Sequence, residues 1–120
     1  MADILRIAEF TKYPGPRYRS DGPFSAQEFR HEHLEPRLRA ASERGECLEV
    51  VLDGVSGYGS SFLEESFGGL VRSGFSEKQL NQNLRIIAET TRFEHHRLRA
   101  LQYIRDALKK STERPRTLAG

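Results

Sequence analysis

Seven consecutive residues, Cys47-Leu48-Glu49-Val50-Val51-Leu52-Asp53, constrain the fold more than any other part of the chain. A nearly continuous apolar, β-branched run of this length reads as a central strand covered on both faces. A glycine-rich connection follows, Gly54-Val55-Ser56-Gly57-Tyr58-Gly59. After it comes a helix starting at Ser60 or Ser61 and running to about Ser73, with Leu63, Phe67, Leu70 and Val71 on one face. Gly68-Gly69 inside that helix reads as a point of close packing against the sheet.

The flanks repeat the alternation. Ile4 to Phe10 is β-branched and aromatic and reads as a strand; Tyr13-Pro14-Gly15-Pro16 reads as a turn. Arg17 to Phe24 reads as an irregular loop or a short edge strand holding Tyr18. Ser25-Ala26-Gln27-Glu28 is a capping box that opens a helix to about Arg44, stopped by Gly45, with Phe29, Leu34, Leu38 and Ala41 inside. Pro36 within it predicts a kink or a break. Ser76 to Gln82 reads as a short helical turn and Asn83 to Ala88 as the last strand. Arg92 to about Lys110 is the longest helix, with Leu98, Leu101, Ile104 and Leu108 as its buried stripe. Strands alternating with helices predict an α/β layer structure with at least part of the sheet parallel.

With 120 residues the chain is one domain, assigned to 1–112 with a polar tail at 113–120. Cys47 is the single cysteine, which excludes an intramolecular disulfide framework and a multi-cysteine zinc site. No apolar run reaches the ~18–20 residues of a membrane span. The first residues lack a basic start followed by an apolar stretch, so a cytoplasmic setting is expected. His31 and His33, and the adjacent His95-His96, are expected to diverge; no metal is expected. The net charge of +2 does not point to nucleic acid, but it is uneven: residues 91–120 carry +5 and residues 1–90 carry −3. The last helix, with Arg92, Arg97, Arg99, Arg105, Lys109 and Lys110, is either a solvated face or a surface for an anionic partner.

In α/β sheets, sites lie at the carboxyl ends of the strands, which here means Asp53 to Glu65. Gly57-Tyr58-Gly59 begins a dinucleotide motif, but Phe62 stands where the third glycine belongs. A phosphate-loop lysine and the last glycine of a serine-hydrolase elbow are both missing. Ser61-Phe62-Leu63-Glu64 fits a capping box with Ser61 as N-cap, a purely structural role. The functional reading is phosphorylation of a serine at a helix start, where backbone N–H groups and the helix dipole favour the added phosphate. Glu64 and Glu65 bring negative charge into the same turn.

The run Leu52-Asp53-Gly54-Val55 followed by Ser60-Ser61-Phe62-Leu63-Glu64-Glu65-Ser66-Phe67-Gly68-Gly69-Leu70-Val71 resembles the signature of bacterial STAS-like domains of unknown function. These belong to the sulphate-transporter and anti-sigma-antagonist superfamily. Ser25-Ala26-Gln27-Glu28-Phe29-Arg30 and Pro14-Gly15-Pro16-Arg17 add to the resemblance, which covers residues 4 to 90. It implies a small mixed sheet of four or five strands with helices packed mainly on one face. It also implies a non-enzymatic switch protein that binds an ATPase-fold serine kinase and is phosphorylated at the start of the helix after the central strand. Ser61 matches the usual acceptor and Ser60 its neighbour; Gly59 and Phe62 replace the aspartate and glycine that usually flank them.

The function expected is therefore a regulatory protein-binding module with no catalytic residue, cofactor or metal. Its expected contact residues are Asp53, Ser56, Tyr58, Phe62, Glu64 and Glu65. The alternative is nucleic-acid or acidic-partner binding through Arg97, Arg99, Arg105 and Lys109. A small-molecule role for the glycine-rich loop and self-association stay open.

Overall fold

A computed structural model describes residues 2–113, so the expected polar tail from Arg114 onward lies outside the described residues. Three strands, β1 (Asp3–Arg6), β2 (Leu48–Val51) and β3 (Leu84–Ile87), form one sheet in the order β1-β2-β3. Both pairings are parallel, with Leu5, Val50 and Ile86 aligned in one row and Ile4, Glu49 and Arg85 in the next. The sheet is thus smaller than the four or five strands expected, and wholly parallel rather than mixed. The segment around Tyr18 supplies no strand; it ends in a 3₁₀ turn, Arg19–Asp21.

In a parallel sheet of order β1-β2-β3, crossovers of the usual right hand put both sets of connecting helices on the same face. Burial follows that geometry. Leu5, Val50 and Ile86 are buried, whereas Ile4 and Arg85 are exposed and Glu49 is half-buried. β2 is therefore central and fully covered on the Leu48 and Val50 face, while its other face is half-open at Glu49 and buried at Val51, so the doubly covered reading holds only at its carboxyl end.

β1 is cut short. Ile7 to Phe10 has strand composition, yet β2 offers paired residues only as far as Val51. Past that point the chain turns into α1 (Ile7–Phe10), with Thr11 N–H donating to the Ile7 carbonyl at 3.0 Å. Ile7 is fully buried all the same.

α2 (26–44) starts where Ser25 Oγ accepts from Glu28 N–H at 3.0 Å. It ends at Gly45, whose φ of 65° is a left-handed cap that glycine adopts without strain. The helix runs on through Pro36, but its regular winding is interrupted just before it. A wide π turn, Arg30–Leu34, precedes a regular segment, Glu35–Arg44, and Pro36 falls in that segment's first turn, where a missing N–H costs least. α3 (60–72) has the same construction: Ser60–Leu63, a π turn Glu64–Gly68, then Gly69–Arg72. α4 (Glu77–Asn83) opens on a full capping box between Ser76 and Gln79. α5 (Glu94–Glu113) is the long last helix, preceded by a 3₁₀ turn, Thr91–Phe93.

α5 lies along α3, and its inner face differs from the expected leucine stripe. Phe93, Ala100, Ile104 and Ala107 are buried, Leu101 and Leu108 are half-buried, and Leu98 is 51% exposed. Small residues at the contact let the two helices approach closely.

Candidate functional site

The loop at the carboxyl end of β2 is tied down on three sides. Asp53 accepts from Glu89 N–H at 2.7 Å, Thr90 N–H at 2.9 Å and the Thr90 hydroxyl at 2.6 Å. It thereby fastens the end of β3 to the end of β2. Burial works against ionisation of this carboxyl, but the three donors outweigh it and hold Asp53 below the usual carboxylate range. Ser56 N–H donates to the Lys12 carbonyl at 2.8 Å, and the Ser56 carbonyl accepts from Arg92 at 2.9 Å. The Tyr58 hydroxyl donates to the Leu52 carbonyl at 2.6 Å. Its ring packs on Phe62, Phe93 and His96 at 5.3–6.1 Å between centroids. Burial, reinforced by the Asp53 charge, pushes the Tyr58 phenol well above its ordinary ionisation range.

α3 begins one residue earlier than a Ser61 cap would require. Gly59 is the N-cap, in extended geometry, and no side chain caps the turn. Ser60 and Ser61 are the first two helical residues; Ser60 is exposed and Ser61 half-buried. The Ser61–Glu64 capping box does not form. Phe62 has no exposed surface and stacks on Phe29 at 6.0 Å, so it anchors the helix start from below.

Glu64 and Glu65 face cations instead of solvent. Glu64 accepts from Arg17 at 2.6 Å and from Arg72 at 2.7 and 3.0 Å. Arg72, supported by Arg17, outweighs burial and holds the Glu64 carboxyl below its usual range. Glu65 is buried against Arg30, which donates to its carboxylate at 2.7 Å and to its backbone carbonyl at 3.0 Å. Arg30 also bonds Glu35 and the Ser73 hydroxyl. The expected role of Gly68-Gly69 against the sheet is corrected here. A Cβ on Gly69 would stand 2.5 Å from Arg30 Nε, and one on Gly68 would stand 2.5 Å from a Glu64 carboxylate oxygen. The glycine pair makes room for ion pairs.

Arg30 has little local signature in the sequence: Glu35 is five residues on, but Glu65 and Ser73 lie 35 and 43 residues away. One of the two histidine pairs differs from expectation. His95 and His96 do not diverge, their ring centroids being 4.0 Å apart, and His33 packs on Phe10 at 5.1 Å. Burial, with His95 and nearby arginines, holds His96 below the usual imidazole range. Among the described residues no group of three or more His, Cys, Asp or Glu is arranged to hold a metal. No described helix is long and apolar enough to cross a membrane.

The basic residues of α5 divide into two sets. Arg97 is bound to Glu94 at 2.5 and 3.0 Å. Arg99, Arg105 and Lys109 are exposed. The 53–61 loop is met by the start of α5, at His96, and by the turn before it, at Arg92 and Phe93.

Two loops converge near the start of α3. The 11–24 loop is joined to the 53–59 loop through Lys12 and to α3 through Arg17. It exposes Tyr13, Tyr18 and Phe24. Phe24 is held at a φ of 56°, which a non-glycine residue adopts at a cost, and Gly15 N–H donates to its carbonyl at 3.0 Å.

Residues 25–91, more than half of the chain, match the family described as a STAS-like domain of unknown function. No curated protein and no solved structure matches the chain.

Proposed function

The chain belongs to the family of STAS-like domains of unknown function, and on that premise we propose that it is a non-enzymatic regulatory module that binds another protein through the 53–61 loop and helix start. Serine phosphorylation at Ser60 or Ser61 switches the contact. The partner class is an ATPase-fold serine kinase or a related signalling protein.

The observation that carries this reading is the uncapped first turn of α3, with Ser60 exposed on it. The first N–H groups of a helix have no partner within it, and no side chain occupies them here. A phosphate on Ser60 or Ser61 accepts from such donors and gains from the helix dipole. The two acidic residues of the next turn would repel a phosphate, but Arg17, Arg30 and Arg72 already offset their charge. Exposed Tyr13, Tyr18 and Phe24 beside the loop supply the aromatic contact area that protein interfaces favour. Asp53, Tyr58, Phe62 and Glu65 then serve by holding the surface in shape, and Ser56 and Ser60 by presenting it.

The test has two arms. The chain isolated from its own cells is examined by mass spectrometry for phosphate on Ser60 or Ser61. In parallel, a photo-cross-linking residue replaces the exposed Ser56. Phosphate together with a cross-link to a serine kinase supports the whole reading. A cross-link without phosphate removes the switch and keeps the binding surface; neither signal ends the proposal.

A further inference from the structure

His96 sits where α5 meets the 53–61 loop. Its ring stands edge-on to Tyr58 at 5.3 Å, 5.7 Å from the Phe93 ring and 4.0 Å from the His95 ring, measured between centroids. Tyr58 passes that contact on. Its hydroxyl donates to the Leu52 carbonyl just past β2, and its ring packs on Phe62 at the start of α3. The imidazole therefore braces the one aromatic side chain that ties the loop to both the sheet and the helix start. Its Nδ1 is buried and, among the described residues, has no hydrogen-bond partner. A neutral ring leaves only an unpaired lone pair at that point. A protonated ring puts an N–H donor and a full charge there, with no acceptor to meet them.

The surrounding charges add to that conflict. Burial first, then His95 and Arg99 of α5 and Arg92 of the turn before it, hold the imidazole below its ordinary value of 6.5. The carboxylates of the neighbouring elements are engaged elsewhere. Glu94 pairs with Arg97, Glu89 with Arg6, and Asp53 with the Glu89 and Thr90 donors. Further along α3, Glu64 and Glu65 are bound by Arg17, Arg72 and Arg30. The first turn of α3, Ser60–Leu63, carries no charge, and the loop side offers Tyr58, whose phenol stays neutral.

We propose that His96 is an acid-sensitive latch on the 53–61 loop: a proton on its ring drives the imidazole out of its seat against Tyr58 and Phe93, and the loop loosens while the rest of the fold holds. The packed ring takes up its proton less readily than a free one. The seat is therefore fully occupied above 6.5 and is lost as pH falls through the lower value of the packed ring. Two ties keep the opening local. Arg92 still donates to the Ser56 carbonyl, and Asp53, held below 3.8, stays charged and keeps the end of β3 fastened. The latch acts on the loop itself and needs neither a partner nor a phosphate on Ser60 or Ser61.

The test is an NMR titration of the isotope-labelled chain from about pH 8 to about pH 5, with amide exchange corrected for the intrinsic pH dependence of the exchange rate. The Tyr58 and Phe93 ring signals should shift with the same midpoint as the His96 imidazole, and that midpoint should lie below 6.5. The amides of Ser56 and Leu63, which donate to the Lys12 and Gly59 carbonyls, should lose protection several-fold across the same step, while those of Val50 and Ile86 keep theirs. His96→Phe keeps a ring in the seat and removes the proton, so its loop should stay protected throughout. His95→Gln should move the His96 midpoint upward. A His96 midpoint at or above 6.5, or Tyr58 and Phe93 signals that ignore it, overturns the proposal. So does loop protection unchanged by acid, or an acid loss that persists in His96→Phe, which would assign it to another group such as His33 on Phe10.

Discussion

Arg30 joins α2 to α3 from the inside, and its surroundings are built for a planar fork. One guanidinium reaches the Glu65 carboxylate, the Glu65 carbonyl, Glu35 and Ser73 at once. Removing it leaves the Glu65 charge buried and short of its closest cation, which in buried pairs costs about 3–5 kcal/mol. Arg30→Met should therefore lower the urea-unfolding free energy by about that much. Arg30→Lys keeps the charge but not the fork and should fall between. Gly69→Ala acts on the same contact from the other side and should cost about 1–3 kcal/mol by crowding Arg30 Nε. Wild-type stability in Arg30→Met would refute this account. Asp53 gives the pH counterpart. Its carboxyl is held below the ordinary range in the folded chain, so its contribution is present above the unfolded value near 3.8 and is lost as pH falls through the lower folded value. Asp53→Asn should cost about 1 kcal/mol at neutral pH, since its donors face solvent, and should flatten the acid limb of a stability-versus-pH profile. An acid limb identical to wild type would show that other carboxylates carry it.

At the level of elements, α5 shows how periodicity locates a helix without fixing its rotation. Two stripes compete on it, one of leucines and one of Phe93, Ala100, Ile104 and Ala107, and packing against α3 selects the second because small residues permit close approach. Ala100→Leu should overpack that contact and cost about 1–3 kcal/mol, whereas Leu98→Ala should stay within about 0.5 kcal/mol; thermal unfolding of the two variants checks the order. The reverse order would restore the leucine stripe as the buried face. Features governed by local chemistry were readable in the sequence: Ser25 and Gly45 bound α2, and β2 is the central strand after which the candidate loop follows. Features settled by distant partners were not. Ile7 to Phe10 has strand composition but no strand beside it past Val51. Ser61 lost its cap role because Phe62 is drawn into the core beneath Phe29, which sets where the helix begins. The Gly68-Gly69 pair could be recognised as a close contact, but not as room for Arg30, since nothing near it in sequence names a buried arginine.

On the scale of the whole molecule, the family match and the folding unit are different lengths of chain. The match spans residues 25–91 and holds β2, β3, α2, α3 and α4. β1 and α5 lie outside it, yet both are part of one hydrophobic core. Leu5 completes the buried row with Val50 and Ile86, Ile7 is fully buried, and Phe93, Ala100 and Ile104 cover α3. Asp3 is also bound by Arg37 of α2 at 2.8 and 2.9 Å, a link from β1 back into the matched region. Without β1, β2 becomes an edge strand; without α5, the α3 face that carries Phe67 and Leu70 loses its neighbour. A 67-residue fragment already sits near the lower limit at which one core outweighs chain entropy. A fragment of residues 25–91 should therefore show a collapsed NMR spectrum and no cooperative thermal transition, while residues 2–113 should unfold in a single step. A dispersed spectrum and a sharp transition from the fragment would mean that the matched region holds a core of its own, with β1 and α5 added to a unit that folds without them.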